Sequence, residues 1–308
     1  MEIKGILVTL LAPFEDHMAN CGEKLLGNAS SIKRRPDGRV YISGQMQRHV
    51  LFSAIDRLND ADENKGDTYV SIGDGVTDYI ERDLRADMGG FMHTSRGDYS
   101  GRRTAPLSAT PAVAMDESEV GRDLLLRLKV EEASGNNQAI ATREFSQYDL
   151  MRMNFFLDIT ELGITKAPKY EDSFNVKIVK YKHVCEKERK RRVNLFLNAT
   201  RLMNDYANQA RNFVCGEPQQ VMIVFDSILS RKASRYFIAD KQERDNILAE
   251  LDDRNATYFI GDDRTNESVK AAYDKAIKFL EENTLYTCCD DSEVKTFDEV
   301  YIKTKNKK

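Results

Sequence analysis

The stretch Lys33-Arg34-Arg35-Pro36-Asp37-Gly38-Arg39-Val40-Tyr41-Ile42-Ser43-Gly44-Gln45-Met46-Gln47-Arg48 holds the residue types best suited to chemistry. A basic loop runs through a short strand into a helix start, so arginines, free backbone amides and the side-chain amides of Gln45 and Gln47 can converge on one anion. A phosphate backbone suits that arrangement. The same residues would serve equally as a capped helix with arginines facing solvent, and their physics leaves both uses open. Elsewhere the chemistry is thinner. Cys21 lies four residues after His17, and Ser30 and Ser31 lie near basic residues, but no glycine elbow or triad pattern accompanies them. Gly73-Asp74-Gly75 and Gly89-Gly90 lack the strand, spaced glycines and helix of a dinucleotide fingerprint, and they read as turns. His17, His49, His93 and His183 are far apart, and none sits at a zinc spacing with cysteines. No catalytic residue, metal or cofactor is expected.

Periodicity supplies the elements that must position this stretch. Residues 3–11 read as a strand in which Ile6, Val8 and Leu10 alternate with Gly5, Leu7 and Thr9. Residues 19–38 read as a loop ending in the turn Pro36-Asp37-Gly38. A strand over 39–42 follows, and Ser43 then caps a helix to about Leu58, with Val50, Leu51, Ala54, Ile55 and Leu58 on one face. Residues 59–119 lack a long periodic element and read as a large insertion. Strands return at 122–130 and 151–159. Between them 131–148 reads as a projecting loop or hairpin tip around Ser134-Gly135-Asn136-Asn137. A helix over 186–206 buries Val193, Phe196, Leu197, Thr200 and Met203, and the apolar run 219–225 reads as a buried strand.

The order βαββαβ predicts an α+β fold built on a ferredoxin-like or RRM-like palm. Residues 1–58 form its first part, 59–119 an inserted region, 120–239 its second part, and 240–308 C-terminal additions. The additions are a helix from Lys241 with the capping box Asp240 and Glu243, a strand at 257–260, a helix at 267–282, and a mobile basic tail ending Lys303, Lys305, Lys307, Lys308.

With 308 residues, 41% hydrophobic and 31% charged, the chain can bury a substantial core. Its net charge of -4 argues against binding a polyanion through overall charge. Local charge differs: Lys33, Arg34, Arg35, Arg39, Arg48 and Arg57 outnumber Asp37 and Asp56, whereas 60–89 is acidic. Five scattered cysteines suit a reducing compartment. No apolar run reaches membrane length and no cleavable leader pattern is evident, so a cytoplasmic location is expected.

The order of Arg39, Ser43-Gly44-Gln45 and Arg48 resembles the Arg, Ser-x-Gln, Lys-Arg signature of the Cas-seven backbone proteins of type I CRISPR complexes, in particular the DevR branch of I-B-like systems. Arg102-Arg103-Thr104-Ala105-Pro106-Leu107-Ser108-Ala109-Thr110-Pro111-Ala112-Val113-Ala114 is similar to that branch's Arg, Pro-Leu, Ser-Pro-Ala-x-Ala segment. A third block leads from Glu188-Arg189 and Arg192 through Asn208-Gln209-Ala210-Arg211-Asn212 to Glu217-Pro218.

The resemblance implies a hand-shaped protein with a ferredoxin-like palm, inserted fingers within about residues 60–118 and a thumb, placed here at 131–148. It implies a non-catalytic Cascade subunit that binds guide crRNA, stacks with copies of itself in a helical filament, meets other Cascade subunits and displays the guide to target DNA. The RNA-binding candidates are then Lys33, Arg34, Arg39, Ser43, Gln45, Gln47, Arg48, Arg102, Arg103 and Arg211, with Gln47 standing where the signature has Lys. Modest charge fits such a scaffold, because affinity accumulates by repetition along one strand. The acidic residues 60–87 are a candidate mate for a neighbouring copy's basic helix at 187–192.

Two other functions compete. A metal-dependent target-RNA endonuclease, as in type III-like complexes, needs an aspartate in the loop before the first helix. Residues 20–31 offer none, and Asp16 and Asp37 lie at the edges. A ferredoxin-like protein-interaction module with no RNA ligand would use the same palm.

Overall fold

The most apolar run of the chain forms the centre of the fold, because only a strand covered on both faces can bury consecutive apolar residues. That strand is β1 (Gly5–His17), buried throughout its first eight residues. The chain continues through α1 (Gly44–Asp60), α2 (Leu84–Gly89), β2 (Leu107–Ala109), β3 (Ala112–Ala114), β4 (Val120–Glu131) and β5 (Gly135–Asp158). It then forms β6 (Ile164–Glu171), β7 (Phe174–Lys182), α3 (Glu186–Thr200), β8 (Gln220–Asp226), α4 (Lys241–Asp253), β9 (Thr257–Asp262) and α5 (Val269–Glu282). This computed structural model describes residues 1–20, 22–25, 29–71, 77–92, 102–131, 135–171, 174–287 and 293–301. Cys21, His93, Gly73-Asp74-Gly75, Ser134 and the lysine tail lie outside the described residues.

The main sheet runs β9–β8–β1–β5, with β2 and β3 on the far side of β5, and these pairings are all antiparallel. Alternation along the strands decides the layers. Ile6, Val8 and Leu10, with Met151, Met153, Phe155, Val221, Ile223 and Phe225, face α1, α3 and α5. Leu7, Leu11, Phe156, Met222 and Val224 face the other way, onto Phe237 of a 3-10 turn (Lys232–Ile238) and onto Ile247 and Leu251 of α4. No described helix is long and apolar enough to cross a membrane.

The alternation over 122–130 marks a strand, but its neighbour differs from the expectation. β4 pairs along its length with the first half of β5, from Val120↔Ser146 to Glu131↔Gly135, and the second half of β5 pairs with β1. Residues 135–148 are therefore strand rather than loop. Leu124 and Leu126 are 70% and 58% exposed, since the helical layer does not cover this part of the hairpin. The place beside the second half of β5 belongs to β2 and β3, each too short to carry a detectable period. A second hairpin, β6 with β7, occupies a stretch to which periodicity assigned nothing.

The turn ahead of α1 is local chemistry. Gly38 N donates to Arg35 O at 3.0 Å and Arg35 N to Arg39 O at 2.9 Å, closing a tight loop around Pro36 and Asp37. Gly38 has φ of 80°, a left-handed backbone that a Cβ disfavours. Gly38→Ala is expected to cost about 1–2 kcal/mol, read as a lower urea midpoint with unchanged slope.

Candidate nucleic-acid interface

Three of the expected binding residues meet at the start of α1. Lys33, Ser43 and Gln45 line one cleft of about 350 Å³ with Asn20, Tyr41, Met46 and His49. Asn20 pins the two edges of the preceding loop together, its side-chain amide donating to Lys33 O at 2.9 Å and to Tyr41 O at 3.0 Å. Ser43 caps the helix, its Oγ accepting from Met46 N at 3.2 Å. The first turn of α1 carries no acidic residue, so the positive end of its dipole is not neutralised within its own element. Gly44 permits the approach of α1 to the sheet, since a Cβ there would lie 3.0 Å from Ala109 O. The cleft thus combines helix amides, one ammonium and neutral hydrogen-bonding side chains, a set chemically able to hold an anion.

Around it lie further cations with unequal freedom. Arg39 bonds Asp37 through Nε at 2.8 Å and Nη2 at 2.6 Å, and the hydrogen bond holds the Asp37 carboxyl below the usual carboxylate range. Arg34 reaches Glu144 only at 3.9 Å. Arg152, half-buried on β5, stands opposite Val113, which pairs with Tyr41. Burial, then the charges of Arg35 and Arg39, lower its pKa.

Other expected residues turn inward. Gln47 is fully buried and its Oε1 accepts from Tyr206 Oη at 3.1 Å. Arg48 is half-buried, donates Nη2 to Gly89 O at 2.6 Å and has its pKa lowered by burial. Arg103 is 8% exposed and donates to the Asp87 carboxylate at 2.6 Å and to main-chain oxygens of Asp87, Ile164 and Glu161. Their burial removes Gln47 and Arg103 from the surface that the cleft opens on. The Arg102 backbone pairs with Met92, and its side chain lies outside what is described. Arg211 lines a separate cleft of about 290 Å³ with Met18, Arg143, Glu144, Asn208 and Asn212 among others.

Two acids of the insertion pair within the chain with the basic helix expected to meet them from a neighbouring copy. Arg191 Nη1 pairs with Asp62 at 2.9 Å and Arg192 Nη1 with Asp87 at 2.6 Å, so α3 itself neutralises these carboxylates. Among the described residues no group of three His, Cys, Asp or Glu side chains could hold a metal ion.

Sequence reasoning missed Asn20, His49 and Arg152 as neighbours of the site, and gave Arg35, Tyr41 and Met46 no role within the stretch it singled out. His49 was detectable, being four residues after Gln45 on the same helical face. Arg152 had no such signal, because strand register alone brings it there.

The family described as CRISPR-associated negative auto-regulator DevR/Csa2 matches residues 27–213, more than half of the chain. No curated protein matches. Among solved structures, a chain of a CRISPR RNA-guided surveillance complex is similar with a TM-score of 0.51 and 13% identity, over 89% of this chain and 99% of that one. A chain of a CRISPR RNA-guided surveillance complex in a pre-nicking state is similar with a TM-score of 0.54 and 12% identity, over 90% and 99%. At such identities the likeness is one of fold.

Proposed function

The chain belongs to the CRISPR-associated DevR/Csa2 family, and from that premise we propose that it is a non-catalytic backbone subunit of a Cascade-type surveillance complex, binding guide crRNA in the cytoplasm. The observation that carries the reading is the cleft at the start of α1, where Lys33, Ser43 and Gln45 adjoin unneutralised helix amides. Copies would line up along one guide strand, contact other Cascade subunits and leave bases free for target DNA.

Within this reading the palm is ferredoxin-like. The order β1, α1, β2 with β3, β5, α3, β8 and the sheet order β8–β1–β5–β2 support it. Residues 60–106 would be fingers and the β4–β5 hairpin the thumb. Lys33, Arg34, Arg39, Ser43 and Gln45 would contact phosphates. Gln47, Arg48 and Arg103 would hold the elements that shape the groove, and Arg102 and Arg211 would extend it. Cleavage is not part of the reading: of the two aspartates flanking the loop, Asp37 is already held by Arg39.

The test is direct. Purified protein should carry host RNA, visible in its absorbance ratio, and should bind single-stranded RNA with strong salt dependence. Lys33→Ala should weaken binding roughly 10-fold and reduce the slope of log affinity against log salt by about 0.7. Protein free of nucleic acid that retains no RNA at low salt would reject the reading in favour of a protein-interaction module.

A further inference from the structure

Phe213 is the most exposed large apolar side chain among the described residues, at 88%. Its backbone is left-handed, with φ of 46°, a conformation that a bulky side chain disfavours. The loop between α3 and β8 imposes it from both sides. Asn208, also left-handed, donates Nδ2 to Met18 O at 3.0 Å, and Asn212 Nδ2 bonds the Asp16 carbonyl. The Gln209 amide bonds the carbonyls of Asn204 and Val214, and Phe213 N donates to Gln209 O at 3.0 Å. The loop is therefore lashed to the end of β1 while its aromatic ring stands in water. Hydration opposes that display, so the loop itself must enforce it.

The surroundings indicate what the ring meets. Arg211, exposed two residues earlier, lines the 290 Å³ cleft with Arg143, Asn208 and Asn212. Arg143 Nη1 donates to Ser30 Oγ at 3.1 Å, and Arg34, next in sequence to Lys33, reaches Glu144 of the same cleft at 3.9 Å. Of its acids, Glu144 is paired with Arg122 at 3.1 Å, and Asp123 is the other. An exposed aromatic ring two residues from a guanidinium that has no bonding partner among the described residues, and that lines a cleft with Arg143, matches the needs of an unpaired base and its phosphate.

We propose that Phe213 is a stacking platform for one unpaired base of the bound RNA strand, with Arg211 holding the adjoining phosphate. The proposal rests on the guide-binding reading and adds a base contact to it.

The chain contains no tryptophan, so Phe213→Trp places a single indole at the platform and keeps its aromatic face. Emission is followed as this variant is titrated with an unstructured RNA oligonucleotide short enough for one protomer, and anisotropy of an end-labelled copy reports binding separately. Quenching with the same midpoint as binding, and none with inorganic polyphosphate, is expected. RNA binding without an emission change overturns the platform alone. An emission shift that follows protein concentration without RNA overturns it in favour of a second copy. Absence of RNA binding by the unaltered protein rejects the guide-binding reading and the platform together. Phe213→Asn supplies the folding control, because Asn tolerates the left-handed backbone. It should leave thermal stability unchanged or raised while lowering RNA affinity about 5- to 100-fold, and an unchanged affinity would overturn the proposal.

Discussion

Asp87→Ala is expected to destabilise the protein by about 3–5 kcal/mol, the range for removing one partner of a buried ion pair. Asp87 is completely buried and its carboxylate is shared. Arg103 Nη2 donates to Oδ1 at 2.6 Å, Arg192 Nη1 to Oδ2 at 2.6 Å, and Gly163 N to Oδ1 at 2.9 Å. Alanine would leave the buried Arg103 guanidinium with main-chain acceptors alone, and Arg192 with Glu188, 2.8 Å from its Nε, as its remaining carboxylate. These contacts join α2 and residues 102–103 to α3 and to the turn after β5, so the loss falls on the seam between the insertion and the main sheet. Against a typical domain stability of roughly 5–15 kcal/mol the effect is large. Urea unfolding should show a much lower midpoint, and proteolysis should begin within residues 60–106. Asp87→Asn keeps an acceptor for Gly163 and removes the charge, so its loss should be smaller. A Asp87→Ala midpoint close to that of the unaltered protein would show that the seam draws its stability elsewhere.

Acid should weaken the same region through His183. The imidazole is 2% exposed, with Nε2 at 2.7 Å from Thr165 Oγ1, which also accepts from Tyr301 Oη at 2.8 Å. Burial, then the positive Arg103, pushes its pKa from 6.5 down to about 4, with Asp87 opposing. The unfolded chain therefore binds the proton first as pH falls. Stability from this group is complete above about pH 6.5 and is lost as pH drops towards 4, by about 2 kcal/mol at pH 5 and about 3 kcal/mol at pH 4. Carboxylates such as Asp37, whose pKa is lowered in the fold, add their own losses at lower pH. His183→Gln isolates the histidine contribution: its stability deficit relative to the unaltered protein should shrink between pH 7 and about pH 4.5. A deficit independent of pH would mean that His183 does not titrate as described.

The sequence by itself determined what depends on a few consecutive residues. The apolar alternation of β1, the helical face of α1, the Ser43 and Asp240 caps and the Pro36-Asp37-Gly38 turn were all legible, because their hydrogen bonds and side-chain directions are settled locally. Through Ser43 and Gln45 this reached into the candidate site itself. Tertiary structure alone decided where the long cationic side chains end. Arg103 and Arg192 converge on Asp87 from different elements, Arg152 stands two strands across from Tyr41, and Gln47 turns under Tyr206. The physical reason is reach: a guanidinium has the same charge and the same donors whether a phosphate or a buried carboxylate lies before it, and only packing between distant segments determines which one does.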